Sequence, residues 1–193
     1  MARSRLAAAL TLALGAPMIC DCSETKTRVQ LRVTTDLPCP RVNGVSITGG
    51  RRGQIEDRRP AFYSDSCVDS GGLGTFLLVP LDEYLNELEL KVVVAVLDEA
   101  GAGPAGPDAC TPATGYAGCI VARRAFSALP DETIYVEVPL LANCLDVASG
   151  CGPERTCVAG LCFSALVEDP NVCLQSGVCD NNVLPDGALG AGG

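Results

Sequence analysis

The sequence predicts a mainly β protein, with an antiparallel β-sandwich followed by a small disulfide-rich module. Three observations favour this class. Short runs with period-two alternation recur through residues 23–143, and Gly, Pro and Asp separate them, as is typical of strands and turns. Six of the 12 Cys fall in residues 144–182, where the apolar periodicity is lost. Strand and helix signals do not alternate, so a parallel α/β sheet is not indicated.

The first 21 residues predict a secretory signal peptide. Arg3 and Arg5 form a basic start, and residues 6–19 then carry no charge. As a helix that uncharged run would be ~21 Å long, which is too short for the ~30 Å hydrocarbon core of a bilayer. Export with removal of residues 1–21 is therefore favoured over a buried or membrane-spanning helix.

Cys20 and Cys22 lie at the end of this segment and are candidate lipidation sites. Ile19 and Asp21 precede them, whereas lipoprotein processing prefers a small residue at that position. Acylation of Cys22 with loss of Cys20 would leave ten Cys that can pair completely. Without acylation, all 12 Cys could form six disulfides. Acylation of Cys20 would instead leave Cys22 without a partner. These three alternatives remain open from the sequence.

The first strand signals in the β part have one apolar and one polar face. Residues 28–34 alternate strictly, which predicts a half-buried strand with one face in water. Shorter runs follow at residues 45–47, before a Gly-Gly pair, and at residues 75–79, before Pro80. These runs predict short strands that end at turns.

The strongest strand signal is residues 87–97, in which both alternating faces are apolar. This pattern predicts a central strand covered on both sides. Two further runs, residues 119–126 and 133–141, are joined by a turn. The apolar residues within 81–88 are spaced as on one face of a helix, which favours a short helical segment of at most two turns. Six or seven strands in about 120 residues fit an immunoglobulin-like sandwich architecture, although the Trp typical of antibody domains is missing.

Export to an oxidising compartment predicts that the Cys residues form disulfides, because an even number of thiols there is typical of a disulfide framework. The predicted disulfide residues are Cys39, Cys67, Cys110, Cys119, Cys144, Cys151, Cys157, Cys162, Cys173 and Cys179. Cys110 and Cys119 flank a short loop and are expected to close it, which leaves Cys39 and Cys67 as partners by elimination. The six Cys of the module allow 15 connectivities, and the sequence does not choose among them. Residues 183–193 predict a flexible Gly-rich tail.

Composition excludes several function classes. The chain has no His, so it can contain no Ser-His-Asp triad, no Cys-His pair and no His-ligated zinc or haem. Its net charge of −9 disfavours binding to nucleic acid. The sequence predicts no catalytic residue, no cofactor and no metal site, and we expect the protein not to be an enzyme.

One cluster of charge stands out, with four Arg at positions 51, 52, 58 and 59. It could contact phosphate or an acidic polymer. Glu56 and Asp57 interrupt it, however, so a solvated loop is the favoured interpretation.

The order of several pieces resembles a group of uncharacterised secreted or lipid-anchored envelope proteins of myxobacteria-like Gram-negative bacteria. The pieces are residues 27–37 (TRVQLRVTTDL), 74–80 (GTFLLVP), 87–101 (ELELKVVVAVLDEAG), 119–144 (CIVARRAFSALPDETIYVEVPLLANC) and 151–162 (CGPERTCVAGLC). The last piece is also similar to EGF-like and Dickkopf-type cysteine-rich modules. The resemblance implies a cell-envelope protein and carries over no catalytic residues.

Together these features predict an exported, non-enzymatic protein of the periplasm, the outer membrane or the extracellular space. Its expected role is surface binding or adhesion, with a protein or polysaccharide as partner and membrane contact only through an N-terminal lipid. A structural or assembly component of the envelope is the first alternative. A protease inhibitor acting through residues 152–156, or an enzyme lacking His, is a less favoured one.

Overall fold

A computed structural model describes residues 26–128 and 130–167 of the chain, and this part is mainly β. The strands β1–β9 span Arg28–Thr35, Val42–Arg51, Phe62–Ser64, Gly72–Leu78, Leu88–Val96, Cys119–Phe126, Thr133–Leu140, Arg155–Val158 and Leu161–Ser164. The α-helix in the described residues, α1, is a single turn at Ala148–Cys151. Five 3₁₀ turns lie at Cys39–Arg41, Asp82–Tyr84, Pro107–Ala109, Pro112–Thr114 and Ala142–Cys144. None of the helices in these residues is long and apolar enough to cross a membrane.

The first sheet has the strand order β4-β1-β7. β1 pairs antiparallel with β4 and parallel with β7, from Arg28 opposite Thr133 to Thr35 opposite Leu140. The β1–β7 pair is the exception to the antiparallel arrangement expected from the sequence, because every other pairing of the described strands is antiparallel. Alternation specifies which face a side chain occupies, but it carries no information on strand direction.

The second sheet has the order β3-β2-β5-β6. β5 lies between β2 and β6, and all nine of its residues are buried. This confirms the prediction that the run at residues 87–97 is a central strand covered on both faces. β3 has only three residues and is partly exposed, and its sequence carried no strand signal.

The apolar faces of the two sheets contribute to one continuous core. β1 and β7 supply the alternating residues that the sequence placed on one face, and β2, β5 and β6 supply the facing set. The core side chains from these strands include Val29, Leu31, Val33, Val45, Ile47, Leu90, Val92, Val94, Ile120, Phe126, Ile134, Val136, Val138 and Leu140. Burial of this apolar surface is the main driving force for the fold.

A glycine marks the bulge between β1 and β4. The register shifts between Val33 and Thr34, and the Thr35 N–H donates to the Gly71 carbonyl at 2.8 Å. Gly71 has φ +81°, and a Cβ there would collide with the Thr35 carbonyl oxygen. Only glycine fits this position without strain.

Four disulfides cross-link the described residues. Two are the pairings predicted for the β part, Cys39–Cys67 and Cys110–Cys119. The other two, Cys144–Cys157 and Cys151–Cys162, choose among the connectivities that the sequence left open. Four disulfides are consistent with an oxidising location such as the periplasm or the extracellular space. The other four Cys, at positions 20, 22, 173 and 179, lie outside the described residues.

Residues 144–167 pack along β6. They contain the hairpin β8–β9, which the sequence did not indicate, and they meet the edge of β6 through main-chain hydrogen bonds. The Ala125 N–H donates to the Ala165 carbonyl and the Val167 N–H donates to the Ala125 carbonyl, both at 2.7 Å. The cross-linked segment therefore covers an edge that would otherwise expose unpaired backbone groups.

The helical turn expected at residues 81–87 is shorter than the spacing suggested. It is a single 3₁₀ turn at Asp82–Tyr84, in which the Tyr84 N–H donates to the Leu81 carbonyl at 2.8 Å. Tyr84 and Leu85 pack against the edge of the main core.

Candidate binding cleft

The outer face of the second sheet, which points away from the shared core, is covered by three segments. The β2–β3 connection contributes Ile55, which is fully buried. The β5–β6 connection contributes Cys110 and Tyr116, and residues 144–167 contribute Ala148 and other side chains. A cleft of about 580 Å³ opens between the first two covers. It is lined by Ser46, Thr48, Glu56, Asp57, Arg58, Arg59, Pro60, Tyr63, Lys91, Val93, Pro107, Asp108, Cys110, Thr111 and Pro112.

Strand alternation explains the floor of the cleft. In β2, Val45 and Ile47 point into the core, so Ser46 and Thr48 point to the opposite face. Gly50 continues that outer row, and a Cβ there would collide with the Arg58 guanidinium. Small residues on β2 thus let the following loop lie close to the sheet and form one wall.

A buried ion cluster joins that loop to the sheet. Glu56 accepts two hydrogen bonds from Arg123 on β6, from Nε at 2.6 Å and from Nη2 at 3.1 Å. Lys91 on β5 donates from Nζ to the Glu56 main-chain carbonyl at 2.6 Å, and the Tyr116 hydroxyl donates to the Glu56 carboxylate. The Tyr116 ring also lies 5.5 Å from the Arg123 guanidinium and 5.8 Å from Lys91 Nζ. The two-point Arg–carboxylate contact is both strong and directional.

The protonation of this cluster follows from burial and partners. Burial would raise the pKa of Glu56, but the hydrogen bonds from Arg123 and Tyr116 and the charges of Arg123 and Lys91 hold that pKa below its ordinary value of 4.5. Burial lowers the pKa of Lys91, although Glu56 opposes the shift. Burial and the hydrogen bond to Glu56 raise the pKa of Tyr116. Glu56 is therefore the ionised acceptor of the cluster at neutral pH, and Tyr116 is a neutral donor.

A second carboxylate is buried nearby. Glu89, which faces outward from β5, is 3% exposed and accepts a hydrogen bond from the Gly53 N–H at 2.7 Å. Burial raises the pKa of Glu89, and the charge of Glu56 adds to the shift. It borders a smaller cavity of about 190 Å³ together with Arg52 and Glu154. This cavity is separate in lining from the larger cleft.

The rim of the larger cleft is polar and held in place. Tyr63 on β3 is 46% exposed, and its hydroxyl donates to the Asp108 carboxylate across the opening. The adjacent loop is closed by the Cys110–Cys119 disulfide and by the Thr111–Thr114 capping box. These constraints mean that a ligand would meet a largely preformed rim.

Thr48 is the unusual residue of the floor. Its side chain is 1% exposed, and its hydroxyl oxygen has no hydrogen-bond partner among the described residues. An unsatisfied buried hydroxyl costs about 1–3 kcal/mol, so native proteins rarely keep one without a reason.

The four Arg that the sequence grouped do not form one patch. Arg51 makes an exposed ion pair with Glu87 at 2.9 Å, and Arg52 borders the smaller cavity. Arg58 and Arg59 line the larger cleft. Arg58 donates to the Gly49 carbonyl at 3.3 Å, and its guanidinium lies 5.7 Å from the Tyr84 ring. Two of the four Arg therefore line the larger cleft, and the other two lie apart from it, one in a surface ion pair and one at the smaller cavity.

The inhibitor loop considered from the sequence, residues 152–156, is exposed only in part. Pro153, Glu154 and Arg155 are exposed, whereas Thr156 is fully buried. The Thr156 hydroxyl accepts a hydrogen bond from the Arg123 N–H at 3.1 Å.

In the described part of the chain, no three His, Cys, Asp or Glu side chains gather where they could hold a metal ion.

The sequence interpretation missed Glu56, Lys91, Arg123 and Thr48. A signal existed for two of them, because Lys91 and Arg123 are charged residues inside otherwise apolar strand runs. Such residues are rarely buried without a partner.

Comparison with protein-family models, curated proteins and solved structures finds no match to this chain.

Proposed function

We propose that this chain is an exported, non-enzymatic binding module of the cell envelope, and that its ligand enters the larger cleft. The two sheets would form an immunoglobulin-like β-sandwich that presents the cleft, with residues 144–182 as a cross-linked module beside it. Cys20 or Cys22 would supply a lipid anchor. The partner would be a surface polysaccharide or protein, as expected from the sequence.

The cleft is the observation that carries this proposal. Its volume of about 580 Å³ lies within the ~300–1,000 Å³ range of small-molecule sites. Its two deepest ionisable groups favour binding over catalysis, because Glu56 and Lys91 are engaged with each other and Glu56 is also held by Tyr116 and Arg123. A group held in this way orients the loop rather than exchanging protons with a substrate.

A matched pair of double variants tests the proposal. Arg59→Ala with Tyr63→Ala removes two side chains from the cleft, and Arg32→Ala with Tyr135→Ala removes the same residue types from the open face of the first sheet. We expect the first variant to lower the affinity of the oxidised protein for isolated envelope fractions by about tenfold or more. The second should stay within about twofold of the wild type. Equal affinities for both variants, or no envelope binding by the wild type, would refute the proposal.

The assembly alternative has its own supporting observation. β4 lies at the edge of the first sheet, where β1 is its strand neighbour and a single bridge from Val68 meets its first residue. Leu77, Val79 and Leu81 are more than half exposed along and after this edge. An open apolar edge of this kind favours pairing with a second copy of the chain. If light scattering finds assemblies that Leu77→Lys disperses, while the cleft variants leave envelope binding unchanged, the assembly function replaces the binding function.

A further inference from the structure

We propose that the ligand of the cleft is an uncharged saccharide segment, an inference that rests on the binding function proposed above. Charge, hydrogen bonding and the exposed aromatic ring each favour this ligand class over an anion or a peptide.

Charge balance is the first argument. Among the described residues that line the cleft, the cations are Lys91, Arg58 and Arg59, and the anions are Glu56, Asp57 and Asp108. The deepest cation, Lys91, already lies 3.7 Å from the Glu56 carboxylate. The chain as a whole carries a net charge of −9, which repels polyanions at long range. An uncharged ligand meets none of these obstacles.

The Thr48 hydroxyl is the second argument. It can donate one hydrogen bond and accept others, and it lies at the floor without a partner among the described residues. A sugar hydroxyl can act as donor or as acceptor, so it can form a hydrogen bond with Thr48 in either direction. A carboxylate or phosphate oxygen can only accept, and it would enter close to Asp57 and Glu56.

Tyr63 is the third argument. Its exposed ring stands at the rim, and the hydrogen bond of its hydroxyl to Asp108 orients it. An oriented aromatic ring offers a flat apolar surface for the C–H face of a pyranose. Arg59 and Asp57 supply the planar donors and acceptors that can bridge neighbouring hydroxyls. The apolar lining is limited mainly to Val93 and proline rings, which gives a peptide no deep pocket for an anchoring side chain.

The test uses the oxidised protein on an array of immobilised oligosaccharides, with neutral hexose and N-acetylhexosamine chains beside uronate- and sulfate-bearing ones. We expect binding to neutral chains, with an affinity that changes less than about twofold between low and high salt because no ion pair is formed. Thr48→Val should weaken binding by about tenfold, while Thr48→Ser should stay within about threefold of the wild type. Thr75→Val, on the exposed face of β4, is the matched control and should have no effect.

The other outcomes of these binding measurements each overturn the saccharide inference, the binding function or both. Binding only to acidic chains, or equal affinity of Thr48→Val and the wild type for a neutral chain, would overturn the saccharide inference. Absence of array binding, combined with envelope binding that Arg59→Ala with Tyr63→Ala abolishes, would overturn the inference and leave the binding function intact. Envelope binding that is unchanged in the cleft variants would overturn both the saccharide inference and the binding function. A thermal unfolding scan of each variant separates these effects from loss of fold.

Discussion

Two Arg–Glu pairs, one on the outer face of each sheet, differ strongly in how far they are covered. On the first sheet, Arg32 of β1 contacts Glu137 of β7 at 2.9 Å, and their side chains are 66% and 37% exposed. On the second sheet, Arg123 contacts Glu56 at 2.6 Å, and their side chains are 2% and 21% exposed. The Arg32–Glu137 pair is thus a solvated surface contact, whereas the Arg123–Glu56 pair attaches the β2–β3 connection to the second sheet.

The difference shows that the covering segments determine how much an ion pair contributes to stability. The alternating polar residues of β1 and β7 keep the first outer face in water, where an ion pair contributes about 0–1 kcal/mol. The second outer face is covered by loops, and there the removal of one partner leaves an uncompensated charge at a cost of about 3–5 kcal/mol. The cleft exists where the covers stand apart.

The largest expected effect comes from removing the partly buried Glu56 carboxylate, whose partners Arg123 and Lys91 are buried. Glu56→Gln leaves Arg123 and Lys91 buried without an anion, so we expect a loss of about 3 kcal/mol or more in the free energy of unfolding. The matched change on the open face, Glu137→Gln, should cost less than about 0.5 kcal/mol. Urea unfolding of the oxidised proteins measures both. Similar losses for the two variants would contradict the contrast drawn between the two faces.

A comparable but smaller loss is expected when the cover of β6 is released. Replacing Cys144 and Cys157 by Ala opens a loop of sequence separation 13, which the loop-entropy model values at roughly 3 kcal/mol. Hydrogen exchange should then show reduced protection of the Arg123 and Ala125 amides, because both donate to the covering segment. Removing Cys110–Cys119 instead should spare the Ala125 amide. Unchanged protection at β6 in the first variant would show that the cover stays in place without its cross-link.

The smallest of these effects is a pH dependence. The pKa of Glu56 is lower in the folded protein than its ordinary value of 4.5. Its stabilising contribution is therefore complete above that value, and it is lost as the pH falls through the lowered pKa. Urea unfolding between about pH 6 and about pH 3 should show a steeper loss of stability in the wild type than in Glu56→Gln. Arg123 stays charged over this range. The raised pKa of Glu89 opposes the trend, and because the Glu56 charge contributes to that shift, Glu56→Gln also reduces it and so narrows the difference between the two proteins.

Parallel pH profiles for the wild type and Glu56→Gln would contradict this assignment. The control is Glu137→Gln, whose profile should follow that of the wild type because the exposed pair is screened by solvent.

Most strands could be predicted from the sequence, because alternation over eight or nine residues is a local signal. β1, β5, β6 and β7 lie within a residue or two of the predicted runs. β3 could not be predicted, since its three residues gain their place by pairing with β2 and by the contact of Phe62 with Phe76. β8 and β9 have four residues each, which is too short for periodicity to show.

The candidate site was less accessible to sequence reasoning. Arg58 and Arg59 were noticed as charge, but their neighbours Asp57 and Glu56 were interpreted only as interruptions. Glu56 and Arg123 are 67 positions apart, and Glu56 and Lys91 are 35 apart. No local pattern links residues so distant, so their meeting depends on how the loop folds onto the sheet.

The sequence by itself determined the faces of the strands, the absence of His chemistry and the pairing of two disulfides in the β part. Those properties depend on side-chain alternation, composition and short loop closure, all of which are local. Only the tertiary structure decided the direction of the β1–β7 pair, the burial of Glu56 against Arg123 and the position of Thr48 on the cleft floor. Each of these depends on contacts between distant parts of the chain, where burial changes the energy of the same residue from negligible to several kcal/mol.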